Sequence, residues 1–77
     1  MVKVLLFARL QEEAGTDSLT VPQSDMSVAE LKQWLEKEYG LTSLSNTMTA
    51  INENYTDDSA LLSEGDTVAL IPPVSGG

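Results

Sequence analysis

Seventy-seven residues with twelve acids against four bases, a formal net charge of -8, 42% hydrophobic residues and neither Cys nor His describe one small acidic domain with an aliphatic core. The missing thiols and imidazoles exclude disulfides, cysteine metal sites, thiolate nucleophiles and the usual neutral-pH base, so no metal and no independent catalysis are expected. Such a charge repels nucleic acid and anionic membranes; it serves solubility first, and beyond that it suits a basic partner.

Val2-Lys3-Val4-Leu5-Leu6-Phe7-Ala8 is nearly continuously apolar and rich in β-formers, which predicts a strand buried on both faces near the centre of a sheet. It is too short for a signal peptide and is interrupted by Lys3, and no segment reaches the length of a membrane span, so a cytoplasmic location is expected. Arg9 to Ala14 predicts a short helical turn closed by Gly15 as a left-handed cap. Leu19 and Val21 alternate with polar neighbours in a second strand that ends at Pro22 and pairs with the first.

Ser27-Val28-Ala29-Glu30 is a capping box, in which the Ser hydroxyl and the Glu carboxylate satisfy two orphan amides reciprocally, so the main helix starts there. Val28, Leu31, Leu35 and Tyr39 fall on one face at spacings of three and four, with Glu30, Lys32, Gln33, Glu36 and Lys37 toward water. Gly40 ends the helix, and Trp34 flanks the apolar stripe as a packing residue. Thr47 to Asn52 predicts a third strand, Asn52-Glu53-Asn54 a turn, and Tyr55 a short fourth strand. Leu61-Leu62 reads as a buried pair before a turn at Glu64-Gly65-Asp66, and Thr67 to Ile71 as the last strand, stopped by Pro72. The whole is an α+β domain over residues 1–71, a sheet of four or five strands with a helix across one face, followed by a tail, 72–77.

No phosphate loop, dinucleotide fingerprint, zinc spacing or nucleophile elbow occurs, and Gly15, Gly40 and Gly65 are explained as caps or turns. Asp57 and Asp58 read as solvated turn residues, since no calcium-loop spacing accompanies them. The tail Pro72-Pro73-Val74-Ser75-Gly76-Gly77 reads in two ways. A Gly-Ser-rich end is commonly a linker. Alternatively, two prolines favour an extended segment reaching at most roughly 20 Å, and two glycines without Cβ atoms can thread a narrow channel. In that second reading the working group is the terminal carboxyl of Gly77. A free carboxylate is a poor electrophile, so another enzyme must first convert it to an acyl adenylate with ATP; sulfur transfer would then make it a thiocarboxylate that a partner orients in its own pocket.

Phe7-Ala8-Arg9-Leu10-Gln11-Glu12, Gly15-Thr16-Asp17, Ala50-Ile51-Asn52, Glu64-Gly65-Asp66-Thr67-Val68-Ala69 and Pro72-Pro73-Val74-Ser75-Gly76-Gly77 together resemble the small, sulfur-carrier subunits of molybdopterin synthase. The resemblance spans essentially the whole chain, and the Pro-Pro-Val-Ser-Gly-Gly ending is its most specific part. Thiamine-pathway sulfur carriers are less similar, lacking the paired prolines and the Phe-Ala-Arg-Leu segment. The resemblance implies a ubiquitin-like β-grasp fold, with a mixed sheet, and a thiocarboxylate on Gly77, delivered by Gly76, Ser75, Val74, Pro73 and Pro72. It further implies activation by a ubiquitin-activating-type adenylyltransferase that uses ATP, with no cofactor bound by the chain itself. The sulfur acceptor would be cyclic pyranopterin monophosphate on a basic large subunit, in a heterotetramer of two small and two large subunits. Members typically carry aromatic residues near the end of the last strand; this chain has Leu70 and Ile71 there, which with Phe7 are the expected docking residues, although Phe7 suits the core equally well. A ubiquitin-like protein modifier and a non-covalent interaction module with an idle tail are the alternative readings.

Overall fold

The computed structural model describes residues 1–41, 44 and 47–72. Its elements are β1 (Val2–Leu6), α1 (Arg9–Ala14), β2 (Ser18–Val21), α2 (Val28–Tyr39), β3 (Met48–Ile51), β4 (Asn54–Thr56) and β5 (Thr67–Ile71). The strands form one mixed sheet in the order β2-β1-β5-β3-β4. β1 and β5, the first and last strands, pair in parallel at its centre, while the β1–β2, β3–β4 and β3–β5 ladders are antiparallel. With α2 crossing one face, this is the ubiquitin-like β-grasp arrangement that the resemblance implied.

The core lies between α2 and that face of the sheet. Val2, Val4 and Leu6 of β1, Val68 and Leu70 of β5, and Leu19 and Val21 of β2 meet Val28, Leu31 and Leu35 of the helix there. Fully burying each such side chain stabilises the fold by about 1.5–3 kcal/mol. The helix start is satisfied from two sides. Ser27 Oγ accepts from Glu30 N at 3.2 Å and Glu30 Oε1 accepts from Ser27 N at 2.9 Å, the predicted capping box. The two preceding helical amides, Val28 and Ala29, donate instead to Ala60 O at 2.9 Å and Asp58 O at 3.1 Å. Orphan amides at the helix start are thereby paired with a distant loop as well as with their own cap.

Four expectations from the sequence are corrected. β1 is central but covered on one face only, since Lys3 is exposed and Leu5 half-buried. Tyr39 leaves the apolar stripe and packs on Trp34, with ring centroids 5.9 Å apart and a 59° tilt. The chain turns at Gly40, whose amide donates to Glu36 O from a φ of 68°, and Leu41 takes the buried position instead, as is common after a left-handed cap. Lys32 is buried rather than solvated. Its aliphatic stem is covered while Nζ reaches Asp58 Oδ1 at 2.8 Å, the usual way a long cation reconciles stem and head. Finally, Leu61 is 73% exposed and Leu62 1%, because residue 61 bridges Ser27 as a strand residue and neighbours in extended chain point to opposite sides.

The β3–β4 hairpin turns through Asn52 and Glu53, with φ of 49° and 73°, the two left-handed residues of a type I′ turn. Asn52 also ties the hairpin to the start of β5: its Oδ1 accepts from Thr67 N at 3.1 Å and its Nδ2 donates to Asp66 Oδ1 at 3.0 Å. This bracket holds the predicted Glu64-Gly65-Asp66 turn against the sheet, with Asp66 Oδ2 accepting from Ser63 N.

Candidate functional site

The face of the sheet opposite α2 carries the candidate site. Pairing register decides which side chains share it. Leu5 lies opposite Ala69, Ala69 opposite Ala50, and Ala50 opposite Tyr55, so these four form one row across the sheet. One step toward the end of β5, Met48 lies opposite Ile71, and Phe7, two residues beyond Leu5, continues that row on the β1 side. At the other end of the strands, Lys3 opposes Thr67. The face is therefore apolar where β5 runs into Pro72 and polar at its far end. Phe7, Met48 and Tyr55 are 43%, 49% and 67% exposed, and Ile71 is half-buried. Exposed apolar side chains thus lie together at this end of the sheet, which makes the face the candidate for an interaction site.

Of the docking residues expected from the sequence, Phe7 and Ile71 are brought together at this end of the sheet. Leu70 is not. It is 0% exposed in the core under α2, because consecutive strand residues face opposite ways, and it is removed from the docking surface. Met48, Tyr55 and Leu5 share this open face without being among the residues expected from the sequence. Their signal is the alternation of each strand, but which alternating set faces outward becomes legible only when the strands are placed in register. The proposed delivery residues after Pro72, namely Pro73, Val74, Ser75, Gly76 and Gly77, lie outside the described residues. Pro72 itself ends the described chain directly after Ile71, and so places the start of the tail at the apolar end of the face.

Phe7 is held outward by an unusual backbone. Ala8 has φ 53° and ψ -125°, a region natural to glycine and costly for residues with a Cβ, by about 1–3 kcal/mol. The turn is closed by Leu10 N donating to Phe7 O at 3.1 Å, and Leu10 anchors it in the core at 0% exposure. Strain is tolerated here because burying Leu10 and leaving Phe7 outside requires a sharp reversal between them. Replacing Ala8 with Gly is expected to raise stability by about 1 kcal/mol, a Tm increase of about 4–8 °C for a domain of this size. Thermal unfolding followed by circular dichroism checks this; a fall in Tm would contradict the strained geometry.

Two shallow depressions mark the same face, one lined by residues including Lys3, Phe7, Gln11 and Asp17, the other by residues including Leu5, Ala69, Asn52 and Glu53. Acidic groups thus border the apolar rows. Among the described residues no group of three or more Asp and Glu is placed to hold a metal ion, and no helix is long and apolar enough to cross a membrane.

Residues 4–77 match the ThiS family. The molybdopterin synthase sulfur carrier subunit of Drosophila melanogaster is 43% identical over 81 residues, covering 99% of this chain and 90% of that protein. Among solved structures, the complex of subunits 1 and 2 of the molybdopterin-converting factor from Helicobacter pylori 26695 contains a chain that superposes with a TM-score of 0.71 at 28% identity, covering 99% of this chain and 97% of that one. The small archaeal modifier protein 1 from Methanosarcina acetivorans superposes with a TM-score of 0.81 at 28% identity, with coverage of 99% and 95%. A β-grasp sheet with one open apolar face, a family match running to Gly77 and full-length likeness to sulfur carriers converge on one assignment: the chain belongs to the ThiS family.

Proposed function

We propose that this chain is the sulfur-carrier subunit of a molybdopterin synthase, with the terminal carboxyl of Gly77 as its reactive group. The observation that carries the reading is the uncovered apolar row of Phe7, Ile71 and Met48 beside Pro72, which gives a partner a surface to grip at the point where the tail leaves. Full-length similarity to molybdopterin synthase sulfur carriers supports it. A cytoplasmic adenylyltransferase of the ubiquitin-activating type joins the Gly77 carboxylate to AMP from ATP, releasing pyrophosphate. A sulfur nucleophile then attacks the acyl carbon, AMP leaves, and a thiocarboxylate remains. The chain binds no cofactor for this step, because ATP is held by the activating enzyme.

The charged carrier next docks on the large subunit, in an assembly of two small and two large subunits. Phe7, Ile71, Met48 and Tyr55 cover apolar surface there, and the acidic border of the face meets a basic rim, which speeds encounter and fixes orientation. Pro72 and Pro73 stiffen the tail, while Val74, Ser75 and Gly76 thread it so that the sulfur of Gly77 reaches cyclic pyranopterin monophosphate. Nucleophile and acceptor are thus brought together by binding, and the residues that move protons belong to the partner.

Likeness to an archaeal modifier protein favours a second reading, in which the activated tail forms an isopeptide with target lysines. Intact-mass analysis of protein co-expressed with the activating enzyme separates the two. Replacement of one oxygen by sulfur adds about 16 Da, whereas conjugation adds a whole target. Unmodified protein that transfers no sulfur to the pterin precursor would defeat the carrier reading.

A further inference from the structure

The open face of the sheet is hollow rather than flat. In the row Leu5, Ala69, Ala50 and Tyr55, the inner positions carry methyl groups and the outer ones a leucine and a tyrosine. The backbones of Leu5 and Tyr55 are three strand spacings apart, roughly 14 Å, so two alanines leave a gap between larger neighbours. A depression of about 440 Å³ lies there, with Ala50 and Ala69 in its floor, Leu5 on the β1 side, and Asn52, Glu53 and Thr67 at its polar end. Ala50 is only 6% exposed although no helix lies over this face, as expected at the bottom of a notch.

The chemistry of the notch says what fills it. Both polar atoms of the Asn52 side chain are already bonded, Oδ1 accepting from Thr67 N at 3.1 Å and Nδ2 donating to Asp66 Oδ1 at 3.0 Å. The one buried side-chain polar atom without a partner among the described residues, Thr49 Oγ1, lies on the other, core side of the sheet beside Leu70. A small polar ligand therefore finds no unpaired buried group to hold it. An apolar side chain needs none and gains by leaving water, and anchors seated in such pockets carry much of an interface's binding energy. At the rim, Glu53 is fixed by the hairpin turn at a φ of 73° and makes no ion pair among the described residues; Lys3 lines the neighbouring depression, which shares Leu5 as a wall. A carboxylate so placed suits a cation on the incoming surface, in keeping with a net charge of -8.

We propose that this notch receives an apolar side chain of the large subunit, with a basic residue beside it reaching Glu53, and that Ala50 and Ala69 are the specificity-determining positions because they are small. Phe7, Met48 and Ile71 project from the same face toward the partner; the notch beside them works in the opposite sense, so the two surfaces interlock and the register of docking, and with it the start of the tail at Pro72, is fixed. This inference rests on the sulfur-carrier reading and adds to it what the partner must present.

Calorimetric titration of the full chain and its variants with the large subunit tests it. Ala69→Leu fills the notch from an open face and is expected to weaken binding at least about tenfold with no fall in Tm, while Ala69→Ser, of nearly the same volume, stays within about twofold of the parent. Ala69→Val, a strand-favouring and smaller filling, carries the test should Ala69→Leu fold poorly. Glu53→Gln should weaken binding several-fold at low salt and flatten its salt dependence. Parent-like binding by the filled variants, an equal loss in Ala69→Ser, or an unchanged salt dependence in Glu53→Gln would overturn the proposal. If Ile71→Ala loses affinity while Ala69→Leu does not, the carrier reading stands and the notch falls; if the parent itself neither binds the large subunit nor supports sulfur transfer, both fall.

Discussion

Deleting Gly77, or appending one residue after it, is expected to abolish sulfur transfer to the pterin precursor while leaving the thermal transition unchanged. The fold is expected to lose nothing, because among the described residues the last core residue is Leu70 and the last strand ends at Ile71. The chemistry loses everything, because either change moves the terminal carboxyl by one residue, roughly 3.3–3.6 Å along an extended chain. A misplacement of about 1 Å already costs about a hundredfold in a positioned reaction, and neither adenylation nor sulfur delivery has a side chain to fall back on. Synthase assays with the large subunit, and intact mass after adenylation, read the two steps separately. Full synthase activity in either variant would refute the role of Gly77.

Adjacent alanine substitutions at the end of β5 should behave oppositely. Leu70→Ala is expected to cost about 2–5 kcal/mol, the range for truncating a buried leucine with partial collapse of the cavity. Total stability for a chain of this size is on the order of 4–12 kcal/mol, so that loss removes a large share of it and lowers Tm by roughly 10–30 °C. Ile71→Ala faces outward and should stay within about 1 kcal/mol of the parent in stability, yet weaken binding to the large subunit by roughly 5- to 30-fold if Ile71 anchors the interface. Urea denaturation and calorimetric titration distinguish the pair. A stable Leu70→Ala chain, or one that binds worse than Ile71→Ala without losing stability, would mean that the two faces have been exchanged. Under the proposed function, one face of the strand serves cohesion and the other recognition.

That contrast also shows where reading the sequence stops. Thr67-Val68-Ala69-Leu70-Ile71 reads as a strand from composition alone, and both Leu70 and Ile71 look suited to an interface. Only pairing with β1 on one side and β3 on the other sends Leu70 under α2 and Ile71 outward. The same holds for β1. Its nearly continuous apolar run predicts burial on both faces, whereas a single helix covers one of them, and the surplus apolar residues Leu5 and Phe7 supply the open face. Lys32 and Leu61 were misplaced for a related reason, since each takes its position from a segment distant in sequence, Asp58 for the lysine and Ser27 for the leucine.

What the sequence determined by itself was whatever depends on neighbours a few residues apart: the capping box at Ser27 and Glu30, the left-handed caps at Gly15 and Gly40, the hairpin turn at Asn52-Glu53, and the exclusion of thiol and imidazole chemistry. These follow from hydrogen bonds and backbone sterics that close within one turn of chain. The Gly-Gly ending and the segments around it were likewise readable as a resemblance. Tertiary structure alone decided that the last strand lies at the centre of the sheet beside the first, that the outward rows of Phe7, Ile71 and Met48 converge where the tail begins, and that Thr49 is buried without a partner. Each of those depends on strand register, which is set by packing among residues tens of positions apart, and no local pattern specifies which of two alternating faces a helix will cover.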